Sequence, residues 1–307
     1  MPKFVFADCP FCSVPYQAEE GGYDGFEKCN VCGGALKVGD TYVEDTTARV
    51  QITHARLLPN LSGETFEKDG YVVKQGTLVS APPSLTELQI PNGVLAIGEK
   101  VFQNYRSLKN IRIPDGVLYI GASAFAGCDG AKTLRLPKTL IAMGNNAFRG
   151  CRRLTEVQIP ESLQSAGYAV FQECDNLLVA DFPMDMTYLG GSPYRYCKNL
   201  KRATIPHCVK ETQTWFTDVV ALEALTVGRN ATEVPLEFFG KLKAVYFTRT
   251  ENWRLYSGWN KWEDVPEHEL ADPKKAAQFL YRAHKRKVTL STPTDCMWHS
   301  VFLTPEK

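Results

Sequence analysis

Four cysteines near the start of the chain lie in two pairs whose spacing suits a metal site. Cys9 and Cys12 form one C-x-x-C pair, and Cys29 and Cys32 form a second pair after sixteen intervening residues. Two thiolates separated by two residues can bind one metal ion from a tight turn, and two such turns supply four sulfur ligands. The spacing therefore predicts a structural Zn2+ site at these four residues, with an iron site or two unrelated thiol pairs as alternatives.

The segment that must position these cysteines resembles a zinc ribbon, which we place at residues 1–40. Gly33 and Gly34 follow the second pair, where backbone beside a bound sulfur often takes a positive φ. The segment contains three Lys, no Arg and six acidic residues. Its net charge of −3 disfavours binding to nucleic-acid phosphates. No βαβ pattern follows either pair, which disfavours a thiol redox role. We expect a small cap or protein-contact module that folds around its metal.

No catalytic motif accompanies the cysteines. The sequence has no G-x-G-x-x-G after a strand, no G-K-[ST] phosphate loop, no H-E-x-x-H and no EF-hand loop. The chain carries 35 basic and 34 acidic residues, so its net charge of +1 provides no overall basic excess for nucleic acid or a membrane surface. The sequence therefore predicts a protein that is not an enzyme.

A 23-residue period runs through the middle of the chain. Prolines, glycines, aromatic residues and cysteines all recur at this interval. Each unit has the pattern L-x-x-I-x-I-P-x-x-V-x-x-I-G-x-x-A-F-x-x-C. The four columns are Pro91, Pro114, Pro137, Pro160, Pro183 and Pro206; Gly98, Gly121, Gly144, Gly167 and Gly190; Phe102, Phe125, Phe148, Phe171 and Tyr194; and Cys128, Cys151, Cys174 and Cys197.

Each unit predicts one coil of a solenoid. The I-x-I-P segment suits a short strand with inward apolar residues, ending at a proline that donates no hydrogen bond. The V-x-x-I-G segment is expected to turn the chain, with glycine permitting the bend, and Ala-Phe to insert into the interior. One unit cannot bury both apolar sides, so stacked neighbours form the core. We expect the cysteine column to fill a small apolar slot rather than to bind metal or undergo redox chemistry.

The unit resembles the BspA-like (Treponema-type) leucine-rich repeat over about residues 85–247. The proline directly after the strand distinguishes it from horseshoe repeats, which have Asn or Cys three residues after the last apolar position. That position holds Gly93, Gly116 and Thr139 here. The resemblance implies a mainly β, curved, right-handed leucine-rich-repeat solenoid with a parallel sheet on its concave side, and a role in adhesion or protein recognition.

Departures from the unit set the predicted domain bounds. Residues 41–84 lack a convincing copy and are expected to form a linker and an N-terminal cap of strands. Residues 85–250 are assigned to the solenoid and residues 251–307 to a C-terminal cap with a basic helix. Ala180 is smaller than the unit requires, so the stack is expected to bulge near it.

The C-terminal segment predicts one basic helix. Asp272 precedes Pro273, which suits an N-cap followed by the first helical position. Residues 274–287 hold six cations and no acid, beside an apolar face that includes Ala276 and Leu280. We expect the helix to cap the solenoid, with contact to an acidic partner or to nucleic acid as the alternative.

Polar residues between the inward apolar positions would face a partner if the sheet lines the concave side. Repeat arrays bind through such extended surfaces. The sequence therefore predicts a protein–protein interaction scaffold for an acidic or polar protein surface. The alternatives are a nucleic-acid-associated protein and a bacterial surface adhesion protein. The predicted partner site contains Lys109, Arg112, Lys132, Arg135, Gln158, Asp181, Lys201 and Arg202, and Gln89, Thr204 and Thr226 occupy equivalent positions.

The apolar content of the first residues bears on the compartment. Residues 1–8 lack the long apolar stretch of a secretion signal, and no run of about 18 apolar residues follows elsewhere. We therefore expect a cytoplasmic protein with reduced thiols.

Overall fold

The computed structural model describes residues 63–209, 212, 214–234, 241–256, 262–285 and 289–291, and the backbone of five short strands before residue 57. The five strands are β1 (Phe4–Asp8), β2 (Pro15–Glu19), β3 (Ala35–Val38), β4 (Arg49–Val50) and β5 (Ile52–Arg56). β1 pairs antiparallel with β2 and parallel with β4, while β3 pairs antiparallel with β5. The four cysteines of the predicted zinc site lie outside the described residues.

Two stacked sheets form the solenoid, with one strand of each sheet in most coils. The seven-stranded sheet is parallel throughout, and the eight-stranded sheet is parallel from its third strand onward. The seven-stranded sheet contains β10 (Asn110–Arg112), β12 (Thr133–Arg135), β14 (Glu156–Gln158), β16 (Val179–Ala180), β18 (Arg202–Ile205), β19 (Ala224–Val227) and β21 (Ala244–Phe247). The eight-stranded sheet contains β6 (Phe66–Lys68), β7 (Tyr71–Lys74), β8 (Thr77–Ser80), β9 (Ala96–Ile97), β11 (Tyr119–Ile120), β13 (Ala142–Met143), β15 (Ser165–Ala166) and β17 (Tyr188–Leu189).

The predicted strand of each unit is confirmed in the seven-stranded sheet. Ile111 and Ile113 are buried while Arg112 between them is exposed, as alternation requires. Ile111 lies in register with Leu134, and Leu134 with Val157, so equivalent residues of successive units are direct neighbours. The first unit differs, because residues 88–90 form no strand and the sheet starts one unit later at β10.

The second sheet arises from the segment that the sequence predicted to be only a turn. The last residues of V-x-x-I, such as Tyr119 and Ile120, form two-residue strands whose side chains are both buried. Two residues are too few to show the alternation that identifies a strand in a sequence. The coil is therefore closed by backbone pairing on two sides instead of one.

The glycine column is explained by close approach and not by a bend. Gly144 does not have a positive φ, and a Cβ built on it would lie 2.6 Å from the backbone nitrogen of Ala122 in the preceding coil. The positive φ occurs two residues later, at Asn146 (57°) and at its equivalent Ser123 (54°). The predicted position of glycine is correct, but its predicted role in bending the chain is wrong.

The core is organised around a ladder of aromatic rings. Phe102, Phe125, Phe148 and Phe171 are fully buried, and consecutive rings stack at 4.9, 5.3 and 5.7 Å between centroids. Beyond Phe171 the ladder tilts, because Phe182 lies between Phe171 and Tyr194 with interplanar angles of 42° and 47°. β16 is correspondingly short, with Ala180 as its last residue.

Two helices and a small sheet lie at the C-terminal end. Helix α1 spans Glu267–Ala271, and α2 spans Pro273–Lys285, which confirms the predicted start. Asp272 caps α2 by accepting hydrogen bonds from the backbone N–H groups of Lys275 and Lys274 at 2.9 and 3.0 Å. No helix of the described residues is long and apolar enough to cross a membrane. The small antiparallel sheet contains β20 (Glu233–Val234), β22 (Arg254–Tyr256), β23 (Trp262–Asp264) and β24 (Thr289–Ser291).

Candidate binding surface

The outward side of the seven-stranded sheet presents one residue per coil, between the two inward apolar positions of the unit. We call this series the central row. Its side chains are exposed at the N-terminal coils, whereas Thr204 is buried. The row contains Arg112, Arg135, Gln158, Asp181, Thr204, Thr226 and Tyr246.

A second series, the leading row, lies where the chain enters each strand. The backbone N–H of Lys132 donates to the carbonyl of Lys109 at 2.9 Å, and equivalent bonds continue along the stack. This pairing brings Lys109 and Lys132 side by side in adjacent coils. The complete row is Lys109, Lys132, Thr155, Leu178, Lys201, Glu223 and Lys243.

Four exposed cations lie on the first two strands of the sheet or immediately before them. Arg112 and Arg135 are direct register neighbours, and Lys109 and Lys132 flank them in the leading row. No ion pair joins any of the four to a carboxylate among the described residues. We call Lys109, Arg112, Lys132 and Arg135 the cationic cluster. Its adjacent like charges repel one another.

Two of the remaining predicted site residues, Asp181 and Arg202, neutralise each other within the chain. Arg202 forms an ion pair with Asp181 at 2.6 Å, and the hydroxyl of Thr204 lies 3.4 Å from the other carboxylate oxygen of Asp181. Lys201 is the leading-row neighbour of Glu223, which binds Lys243 at 2.6 Å. The hydrogen bond from Lys243 lowers the pKa of Glu223 below its usual value. The predicted site therefore divides into a cationic cluster and a largely neutral remainder.

Sequence reasoning missed Tyr246, which is 50% exposed and ends the central row. Register places it next to Thr226. Only 20 residues separate the two, because the last coil is shorter than the 23-residue unit. Counting by the fixed period therefore passes over it. The available sequence signal was its place between Val245 and Phe247, which matches the place of the polar residue between the apolar residues of the other units.

A match to a family profile shows which family the chain belongs to. The profile of the BspA type leucine rich repeat region matches residues 80–201 and 119–245 with six copies, which together cover more than half of the chain. The chain belongs to the BspA-type leucine-rich repeat family. No curated protein sequence matches it.

Several solved structures are similar to this BspA-type chain. A leucine-rich repeat protein from T. pallidum is 24% identical over 55% of this chain and 84% of that chain, with a TM-score of 0.43. One from Bacteroides ovatus is 25% identical over 55% of this chain and 46% of its own, with a TM-score of 0.44. One from Bacteroides capillosus is 30% identical over 33% of this chain and 86% of its own, with a TM-score of 0.30.

The cysteine column of the BspA-type repeats is buried in the core. Each thiol donates a hydrogen bond to the backbone carbonyl of the column phenylalanine one coil earlier, at 3.0–3.3 Å. Burial raises the pKa of Cys128 and of Cys197 to about 12, and raises the pKa of Cys151 and Cys174 well above the usual value. Among the described residues, no group of His, Cys, Asp and Glu side chains could hold a metal ion. These thiols are packing residues of the repeat.

Helix α2 of the BspA-type chain packs its apolar face against the end of the stack. Ala276, Leu280 and Ala283 are buried, and the helix contacts β21. Arg282 on its exposed side binds Glu269 of α1 at 2.9 Å. The part of the basic helix that is described thus covers the last strand, and one of its cations is neutralised within the chain.

Proposed function

We propose that the protein is a non-enzymatic interaction scaffold that binds an acidic protein surface through the outward side of the seven-stranded sheet. The family and the parallel-sheet solenoid support a protein-binding role, since repeat arrays offer extended surfaces. The observation that carries the proposal is the register pairing of Arg112 with Arg135, both exposed and without an acidic partner among the described residues.

This pairing costs free energy in the isolated protein. Like charges directly opposite each other on neighbouring strands are destabilising, and the fold does not need them because both side chains point outward. A carboxylate or phosphate on a partner would remove the repulsion and add charge-assisted hydrogen bonds to the guanidinium groups. The gain on binding is therefore largest at these two residues.

Charge reversal at this pair tests the function. We expect that Arg112→Glu combined with Arg135→Glu abolishes the capture of specific partners from the native cell, while the melting temperature stays within a few degrees of wild type. A matched control reverses Arg152 and Arg153, which are also exposed and adjacent but lie on the turn after Cys151. Capture that is identical in wild type and in the Arg112/Arg135 variant would contradict the proposal.

We further propose that Cys9, Cys12, Cys29 and Cys32 bind one structural Zn2+ in a ribbon formed by residues 1–40. Support comes from the two C-x-x-C pairs, whose thiolates suit a closed tetrahedral site. The metal would hold the segment folded and take no part in a reaction.

A cytoplasmic location is proposed for the same chain. The four column cysteines are free thiols that donate S–H hydrogen bonds, which supports a compartment that keeps thiols reduced. Reduced cysteines persist in the cytoplasm. Cell fractionation tests this, and recovery of the protein at the cell surface would favour an adhesion role instead.

A further inference from the structure

The first turn of the repeat array contains the single Asn-Gly pair of the sequence, Asn92 followed by Gly93. Both residues are exposed, and Gly93 has a φ of +87°. Apart from its chain neighbours, a Cβ built on Gly93 would meet one atom within 4 Å, which is Cε1 of Phe66 at 3.8 Å. Water therefore reaches this turn, and no side chain on Gly93 shields the peptide nitrogen.

The equivalent turn of the next coil is tied to the coil after it. The carboxylate of Asp115 accepts the backbone N–H of Lys138 at 3.1 Å. The backbone N–H of Gly116 donates to the hydroxyl of Thr139 at 3.0 Å. In this coil both the acidic side chain and the glycine nitrogen after it are therefore held by hydrogen bonds.

These bonds are missing from the first turn. The residue one coil after Gly93 is Gly116, which has no hydroxyl to accept the Gly93 N–H. Among the residues that the structure describes, no hydrogen bond forms at the side chain of Asn92 or at the N–H of Gly93. The bond that closes the turn is missing as well. The N–H of Val94 makes none to the carbonyl of Pro91, whereas the same bond in the next three coils measures 3.4, 3.2 and 3.0 Å.

A glycine nitrogen without a partner beside an asparagine side chain without a partner permits ring closure. The nitrogen of Gly93 attacks Cγ of Asn92, a new C–N bond forms, and the bond from Cγ to the side-chain nitrogen breaks. Ammonia leaves and takes the proton of the Gly93 N–H. Water then opens the cyclic imide at either carbonyl, which gives aspartate or isoaspartate. The reaction needs only water, and asparagine is for this reason a thermolabile residue.

We propose that Asn92 is a site of spontaneous deamidation in the folded protein, and that hydrogen bonds to the following coil slow ring closure in the turn at Asp115. The aspartate product has the sequence Pro-Asp-Gly-Val, which residues 114–117 already contain. Its carboxylate can accept the backbone N–H of Asp115, as Asp115 accepts that of Lys138. The aspartate form therefore fits the repeat and adds one negative charge to the first turn, while isoaspartate lengthens the backbone there.

One substitution places the same tetrapeptide in both coils and tests the site within a single molecule. Asp115→Asn gives Pro-Asn-Gly-Val at residues 91–94 and at 114–117. The full chain is incubated at mildly alkaline pH, and the mass increase of each peptide is followed by mass spectrometry. We expect Asn92 to deamidate about tenfold faster than position 115, because two hydrogen bonds must break before the second ring can close.

A second substitution tests the hydrogen bond to the glycine nitrogen. Adding Thr139→Val to Asp115→Asn removes the acceptor of the Gly116 N–H, and deamidation at position 115 should accelerate towards the rate at Asn92. Thr155→Val is the matched control, because the Thr155 hydroxyl is also exposed and donates instead to the carbonyl of Lys132 at 3.3 Å. This control should leave both rates unchanged.

Two results would overturn the inference. Equal rates at Asn92 and position 115, in a chain that circular dichroism shows to be folded throughout, would mean that the hydrogen bonds give no protection. An Asn92 that stays intact in the folded chain but deamidates in urea would mean that the turn holds it in an unreactive conformation. Neither result bears on partner capture, so the scaffold function is tested separately.

Discussion

The thiol of Cys151 donates a hydrogen bond to the backbone carbonyl of Phe125, which lies one coil earlier, at 3.3 Å. The same carbonyl accepts the backbone N–H of Cys128 at 3.3 Å. Each column cysteine thus connects its own coil to the aromatic ladder of the coil before it. A small apolar side chain could fill the slot, but only a donor completes this contact.

Replacement of this thiol is expected to weaken the stack. Cys151→Ala removes the buried sulfur and its hydrogen bond, and we expect the free energy of unfolding to fall by about 2 kcal/mol in urea denaturation. The backbone N–H of Cys128 still satisfies the Phe125 carbonyl, which limits the loss. Cys208→Ala is the matched control, since Cys208 is only half-buried. Equal losses for the two variants would argue against a special role for the column.

The buried thiols should be unreactive in the folded protein and should make it sensitive to alkali. Burial raises the pKa of Cys128 and Cys197 to about 12, so stability is fully present below the unfolded pKa near 9 and declines as pH rises from there toward 12. We expect a lower free energy of unfolding at about pH 10.5 than at about pH 8. A Cys128→Ala, Cys197→Ala variant should show a smaller decline. Rapid iodoacetamide labelling of either thiol without denaturant would contradict this.

Close approach of neighbouring coils should make the column glycines intolerant of any side chain. In Gly144→Ala the new Cβ would meet backbone atoms of Ala122 and Gly121 within 3 Å, and we expect a loss of about 3 kcal/mol. Gly116→Ala measures the cost of a positive φ without steric overlap. Gly116 has a φ of +101°, and nothing lies within 4 Å of its Cβ position. That control should lose only about 1 kcal/mol in thermal melts. A larger loss for Gly116→Ala would show that backbone conformation dominates.

The proposed ribbon should contain one zinc ion per chain. Elemental analysis of purified protein should give this stoichiometry, and Cys29→Ser with Cys32→Ser should remove the metal. Cys208→Ser should retain it, because that residue belongs to the solenoid. A metal content dominated by iron, or full zinc retention in the double variant, would contradict the assignment. The solenoid should keep its thermal transition after chelation, since none of the described residues forms a metal site.

The strands of the seven-stranded sheet could be predicted because each 23-residue unit places apolar residues at the same inward positions. Ile111, Leu134 and Val157 occupy one register line in the sheet, as their common spacing required. The second sheet could not be predicted, since strands such as Ala142–Met143 are too short to carry an alternating pattern. The role of Gly144 also depends on how close the preceding coil lies, which a single sequence does not contain.

The sequence predicted which residues form the candidate site, but it did not predict which of their charges form ion pairs within the chain. Arg112 and Arg135 were found from their position between inward apolar residues, and both are exposed. Whether a cation is compensated depends on side chains of other coils, as Arg202 shows by reaching across to Asp181. Tyr246 was missed because the coil lengths shorten after Thr204.

Successive coils between Phe102 and Phe171 differ from one another in little except their outward residues. Backbone pairing, ring stacking and thiol contacts all recur with the same 23-residue step. Excision of residues 113–135 would therefore join equivalent points of two coils and shorten the stack by about 4.8 Å. The deletion would also remove Lys132 and Arg135 together. Gain or loss of one modular unit by duplication or deletion would thus alter the length of the array and the charge on the outward side of the seven-stranded sheet in a single genetic event.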